Sequence, residues 1–325
     1  MRSLIRSATF WRSEADRDRA RANLPFTNKA VPFAGRIGAN QEFALEKDNA
    51  AQAGVLEKFP DAAPWISIRD SLDLRGLWQV ELWKAAVIEG IGMCIFVYLT
   101  VFVSVGLGQL AGTFPSGPLI PALIGSLTTL ISLPLFIFAT GPVSGAHLNP
   151  TITIATFFAR LATLPRAILY IAFQCFGAAM GGFLLRASFD SRSFTVPGCT
   201  MDTSRITTRS AFTIELITDF GMIFLAFGIG LDPRQRAVFG PALGPILVGF
   251  VVAMCTFFTG VGRGGYTGIS GNPARCFGAM VASRFESYHW IHWIGPLGAS
   301  IVHGVLYLLL PPYSRESVVE GQSVL

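Results

Sequence analysis

The chain has 325 residues, 51% of them hydrophobic and only 14% charged, with a formal net charge of +5. Soluble domains carry about 25% charged residues, so this composition excludes an ordinary soluble domain and points to a protein that crosses a membrane several times. The positive charge sits in a tail and in loops, as on the cytoplasmic side of a membrane protein, and no nucleic-acid partner is expected.

Residues 1–80 are polar, mixed in charge and without sustained periodicity. Glu14, Asp16 and Asp18 stand among the arginines of the first 20 residues and argue against a transit peptide. The segment reads as a solvated cytoplasmic tail with one short amphipathic helix near residues 72–81. Six apolar spans are predicted next, at about 83–107, 118–139, 166–187, 211–231, 238–261 and 289–311. Each is long enough to cross about 30 Å at a rise of about 1.5 Å per residue. Two shorter apolar pieces, residues 151–159 and 273–281, would cross only half of that thickness. Residues 313–325 read as a second cytoplasmic tail. Five cysteines are too few and scattered for a disulfide framework; Cys94, Cys175 and Cys255 lie in apolar runs and read as small buried residues.

The order is span, span, half-span, span, and then the same again. Residues 81–312 therefore read as one channel domain with repeats at about 83–187 and 211–311. Three full spans per copy is an odd number, so the second copy enters the membrane inverted, an architecture known from transport proteins. Six spans put both termini on one side. Arg234 and Arg236 after the fourth span, with Arg160 and Arg166 near the first half-span, make that side cytoplasmic. Arg192, Arg205 and Arg209 in loop 188–210 run against that sense.

The two half-spans open on near-identical motifs 123 residues apart: Ser144–Thr151 contains Asn149-Pro150, and Ser270–Arg275 contains Asn272-Pro273. Asn is a favoured helix N-cap and Pro a favoured first helical residue, so each pair alone is only a helix start. Their matching places in an inverted repeat make them functional candidates. Two half-helices from opposite faces would bring their N-termini together at mid-membrane. Each end carries about half a positive charge, and together they repel cations, including hydronium. The Asn amides can donate to a passing oxygen, so neutral solutes are favoured.

Arg275, three residues after Asn272, is costly inside a membrane and is expected to line water in a constriction. Glu89 lies 60 residues before Asn149 and Glu215 lies 57 before Asn272. Their duplication suits buried acceptors that hold the N–H groups of the half-span loops better than a coupling site. Asp219, one turn after Glu215, has no counterpart in the first copy. His147 is expected to brace its loop or line the vestibule, since no second metal ligand sits at suitable spacing. No nucleophile–base pair, phosphate-cradling glycine motif or metal cluster is found; neither enzymatic activity nor a cofactor is expected. An ion-coupled secondary transporter of a small neutral solute is the alternative to a passive channel, and a membrane scaffold with a recruiting tail is a third.

The motifs Ser144–Thr151 and Ser270–Arg275, each with its upstream Glu, resemble those of the aquaporin or major intrinsic protein superfamily over residues 83–312. The run Asn272-Pro273-Ala274-Arg275-Cys276 further resembles the X intrinsic protein subfamily, in which Cys follows that Arg. Thr151 departs from the usual Ala of the first motif. The resemblance implies an all-α membrane fold of six transmembrane helices and two half-helices, a homotetramer in membrane lipid, one pore per subunit and a selectivity filter outside the Asn pair. Matched by spacing, the filter is Thr129, Gly260, Ile269 and Arg275, with Thr259 the fallback for Gly260. This set is small and little polar, which implies passage of glycerol, urea or hydrogen peroxide, with water as a further permeant. Cys276 would then face the outer vestibule and Cys199 the outer loop, an oxidising side; a disulfide between them is one expectation and two free thiols the other. Localisation in the plasma membrane follows from the same resemblance.

Overall fold

The computed structural model describes residues 32–37, 44–45, 47, 52–110, 115 and 117–310. The readings made of residues 1–31 and of the tail at 313–325 lie outside the described residues.

Eight helices carry the fold: α1 (Val80–Leu110), α2 (Leu119–Ser144), α3 (Pro150–Phe158), α4 (Leu164–Phe189), α5 (Thr208–Ala226), α6 (Arg236–Gly262), α7 (Pro273–Ala282) and α8 (Ile291–Leu309). Six of them are long and apolar enough to cross a membrane, α5 by continuing through a π turn at Phe227–Leu231. α3 and α7 have 9 and 10 residues, or about 14–15 Å at 1.5 Å per residue, half a bilayer core. Large apolar side chains such as Phe176, Ile217 and Leu135 are more than 60% exposed. A water-facing surface would not tolerate that apolar belt, and a lipid-facing one requires it.

The inverted repeat is visible in the packing. α1 lies along α4 in the first copy and α5 along α8 in the second; α2 lies along α6 across the two copies. Each half-helix packs on the last span of the other copy, α3 on α8 and α7 on α4. Close approach depends on small residues: a Cβ on Gly177 would run into the Gly90 carbonyl. Backbones meet this closely in membranes only where side chains are absent.

Three features differ from the sequence reading. The second span does not end at 139 but runs through Pro142 to Ser144. Pro142 lies in the last turn, where carbonyls find partners outside the helix: Arg36 Nη1 donates to the Gly141 carbonyl at 2.7 Å and to the Pro142 carbonyl at 3.3 Å. Gly145, at φ +86°, then ends the helix in the left-handed region. Residues 72–81 are no amphipathic α-helix; they form a 3-10 turn, Leu74–Trp78, that leads directly into α1. The tail is not wholly solvated either. Phe33, Ala34, Arg36 and Ile37 are at most 2% exposed.

Candidate functional site

Asn149 and Asn272 begin α3 and α7. The Oδ1 of Asn149 accepts from Thr151 N at 2.9 Å and that of Asn272 from Arg275 N at 3.2 Å, so each caps its own helix. Each side-chain amide reaches across to the other motif. Asn149 Nδ2 donates to the Gly271 carbonyl and Asn272 Nδ2 to the Leu148 carbonyl, both at 2.8 Å. The two helix ends are thereby clasped together. A side-chain amide has two N–H donors; one on each Asn is spent on the clasp.

A buried carboxylate stands behind each loop. Glu89 accepts from His147 N (3.0 Å), Leu148 N (2.5 Å), Ser144 Oγ (2.5 Å) and Gln174 Nε2 (2.8 Å). Glu215 accepts from Ser270 N at 2.8 Å and from the Tyr266 hydroxyl. Backbone N–H groups in these irregular loops have no helix partner, and in lipid each unmet donor is costly. His147 is buried, with Nδ1 3.1 Å from Thr153 Oγ1 and Nε2 2.8 Å from the Gly35 carbonyl. Among the described residues no group of three or more His, Cys, Asp or Glu could hold a metal.

One cavity of about 570 Å³ runs past both Asn residues, and Thr129, Gly260, Ile269 and Arg275 all line it. The immediate neighbours of the Arg275 guanidinium are other groups. Nη1 lies 3.3 Å from Cys199 Sγ, and Nη2 lies 3.4 Å from both Ser104 Oγ and the Pro197 carbonyl. These are long hydrogen bonds, and among the described residues no carboxylate pairs with Arg275. Gly198, Gly260 and Gly268 converge beside it: a Cβ on Gly268 would lie 3.9 Å from the Cα of each of the other two. Cys199 and Cys276 are joined by a disulfide, which ties the loop after α4 to the first turn of α7 behind Arg275.

Ile37 also lines the cavity. Its N–H donates to the Gly145 carbonyl at 3.0 Å, and its side chain packs with Ile137, Ile152 and Val248. Burial pushes the Arg36 guanidinium down to about 10, still cationic at neutral pH. The tail is further anchored by Asp61, which forms a two-pronged ion pair with Arg166 at 2.7 and 3.1 Å. The Phe33 ring lies under that guanidinium, 3.9 Å away.

Sequence reasoning did not find Ser104, Gln174, Ile37 or the Pro197–Gly198 edge. Ser104 and Gln174 left a trace, as isolated polar side chains in apolar spans. Thr100 and Ser104 are one turn apart and share a face, each hydroxyl bonded to the carbonyl four residues back. Ile37 left none.

Six spanning helices, two clasped half-helices and a cavity along their meeting point define a class: a helical membrane protein built as an inverted repeat around a central path. The family model described as major intrinsic protein matches residues 77–307. The chain is 33% identical over 234 residues to aquaporin-4 of Homo sapiens, covering 72% of this chain and 69% of that protein. It is 30% identical over 229 residues to aquaporin TIP1-1 of Zea mays, covering 70% and 86%. The solved structure of the aquaglyceroporin from Plasmodium falciparum superposes with a TM-score of 0.53 at 22% identity, covering 69% of this chain and 96% of that one; that likeness concerns the fold. The chain belongs to the major intrinsic protein family.

Proposed function

We propose that this protein is a passive channel for small uncharged solutes, such as glycerol, urea or hydrogen peroxide, and for water, and that it turns away ions and protons. The observation that carries this is the clasp of Asn149 and Asn272 beside one cavity. The clasp uses one N–H of each Asn amide and leaves the other for a permeant oxygen, with only the weak acceptor Met93 Sδ, 4.0 Å from Asn272 Nδ2, to compete. Both half-helix N-termini face the same point, and their partial positive charges oppose a cation there. Arg275, with no carboxylate to neutralise it, adds a second barrier to cations and a donor to hydroxyl and carbonyl oxygens. The glycines that converge beside it leave the filter wider than bulky side chains would, which supports solutes larger than water.

The same reading assigns Thr129, Gly260, Ile269 and Arg275 to the filter, both termini to the cytoplasm, the protein to the plasma membrane, and four copies to the assembly. The Arg275-Cys276 pair supports the X intrinsic protein subfamily. A coupled transporter would find its carboxylates in Glu215 and Asp219, but it would show saturation and ion dependence, whereas a channel gives flux linear in gradient. Stopped-flow permeability of reconstituted full-length protein to water, glycerol, urea and peroxide, set beside Arg275→Ala, tests the proposal. Proteoliposomes that pass water quickly and exclude glycerol would contradict it; loss of cation exclusion in Arg275→Ala would support it.

A further inference from the structure

The two copies hold their loops by different chemistry. In the first, both oxygens of Glu89 receive N–H or O–H donors, and the outermost is the Gln174 amide at 2.8 Å. Gln174 lies 85 residues after Glu89, and the residue the same distance after Glu215 is Ser300. The Ser300 hydroxyl is directed at the Thr151 and Pro296 carbonyls, both at 2.8 Å. Glu215 therefore has no amide partner. Its Oε1 takes the Tyr266 hydroxyl and the Ser270 N–H. Its Oε2 meets no N–H or hydroxyl donor.

Asp219 supplies what is missing. It sits one turn along α5, on the same face as Glu215, and a Cβ on Gly271 would lie 3.9 Å from its Oδ1. Both residues are 0% exposed, and neither Asp219 oxygen meets an N–H or hydroxyl donor. Two carboxylates buried side by side cannot both stay ionised: they repel and neither can donate, whereas one proton between them lets one donate to the other. The groups that face the pair are Tyr266 from the loop, Cys255 from α6 and Arg275 from α7. The two neutral groups bring no compensating charge, and Arg275 is bonded to neither carboxyl.

We propose that Asp219 is a positioning residue that keeps a proton between itself and Glu215, and so holds the Ser270–Gly271 loop as the Gln174 amide holds its counterpart. The loop matters because the Gly271 carbonyl takes the Asn149 amide. Its flux consequence rests on the channel reading above; its protonation state does not.

Infrared spectroscopy of the full-length protein in proteoliposomes reads the proton directly. Wild type is expected to show the C=O stretch of a protonated carboxyl, resistant to exchange with heavy water, and Asp219→Asn to lack it. In flux, Asp219→Leu leaves a buried acceptor unmet and is expected to lower permeability by about tenfold, while Asp219→Asn, which restores an amide donor, recovers most of it. A wild type without the band, an unchanged band in Asp219→Asn, or an Asp219→Asn channel as impaired as Asp219→Leu would overturn the proposal. A wild type that shows the band and loses it in Asp219→Asn, yet passes no solute, would sink the channel reading and leave the shared proton standing.

Discussion

His147 and Gly35 lie 112 residues apart and are joined by a 2.8 Å hydrogen bond from the imidazole Nε2 to the Gly35 carbonyl. A carbonyl can only accept, so Nε2 carries the hydrogen; Nδ1 lies 3.1 Å from Thr153 Oγ1, whose own hydrogen is directed at the Asn149 carbonyl at 3.0 Å. One ring thus couples the amino-terminal segment to the first half-helix. Two residues further on, Ile37 lines the cavity. Deleting residues 1–37 keeps the Asp61 anchor and is expected to raise solute flux severalfold, with the single change Ile37→Gly acting in the same direction. Stopped-flow measurement on both forms checks this, and unchanged flux in both would contradict it.

Asp61 and Arg166 are 3% and 4% exposed. Removing one member leaves the other as an uncompensated buried charge, which costs about 3–5 kcal/mol, whereas replacing both with apolar residues of similar size is close to neutral. Asp61→Ala is therefore expected to unfold well below wild type, and Asp61→Leu combined with Arg166→Met to recover most of the difference. Thermal unfolding in detergent orders the three.

The disulfide spans 77 residues of sequence. Closing a loop of that length restricts the unfolded chain and contributes about 2–4 kcal/mol. Wild type is expected to melt at a lower temperature under a reductant, and Cys199→Ala with Cys276→Ala to melt low with or without it. Unfolding curves in both conditions suffice; a double variant that still responds to the reductant would contradict the assignment.

Thr151 takes the place of an Ala in the first motif. Its side chain is fully buried and Oγ1 has no partner. A buried hydroxyl without a bond is a penalty of about 1–3 kcal/mol, partly offset by the methyl contacts it brings. Thr151→Ala is expected to leave stability unchanged or raise it by up to about 1 kcal/mol, read from the same unfolding assay.

His289, just ahead of α8, accepts from Trp293 Nε1 at 3.1 Å. Burial pushes its imidazole below the ordinary 6.5. The unfolded chain therefore binds the proton first, so this residue costs stability as pH falls below about 6.5 and none above it. Melting temperatures between pH 8 and 5 should decline less steeply in His289→Gln than in wild type.

Local rules made much of the membrane domain legible. Asn-Pro pairs start helices wherever they stand, and two such starts 123 residues apart, each in a copy with an odd number of full spans, already imply an inverted pair. Glu89 and Glu215 stood out because a carboxylate in lipid needs donors. Pro142 misled the reading of the second span, since the carbonyls at that helix end are met by Arg36, a residue more than 100 positions away. Ser104 escaped because spacing to a motif locates residues within a repeat, whereas the surroundings of Arg275 come from α1, α7 and the loop after α4.

The order of spans, the two half-helices and their capping residues were determined by the sequence itself, because apolar length and helix-start chemistry act within a few residues. Which group meets which carboxylate, that Ile37 lines the cavity, and that Cys199 reaches Cys276 were decided only by the tertiary structure. Those contacts join segments tens to more than a hundred residues apart, and whether a buried polar group finds its partner depends on where the packed helices leave it.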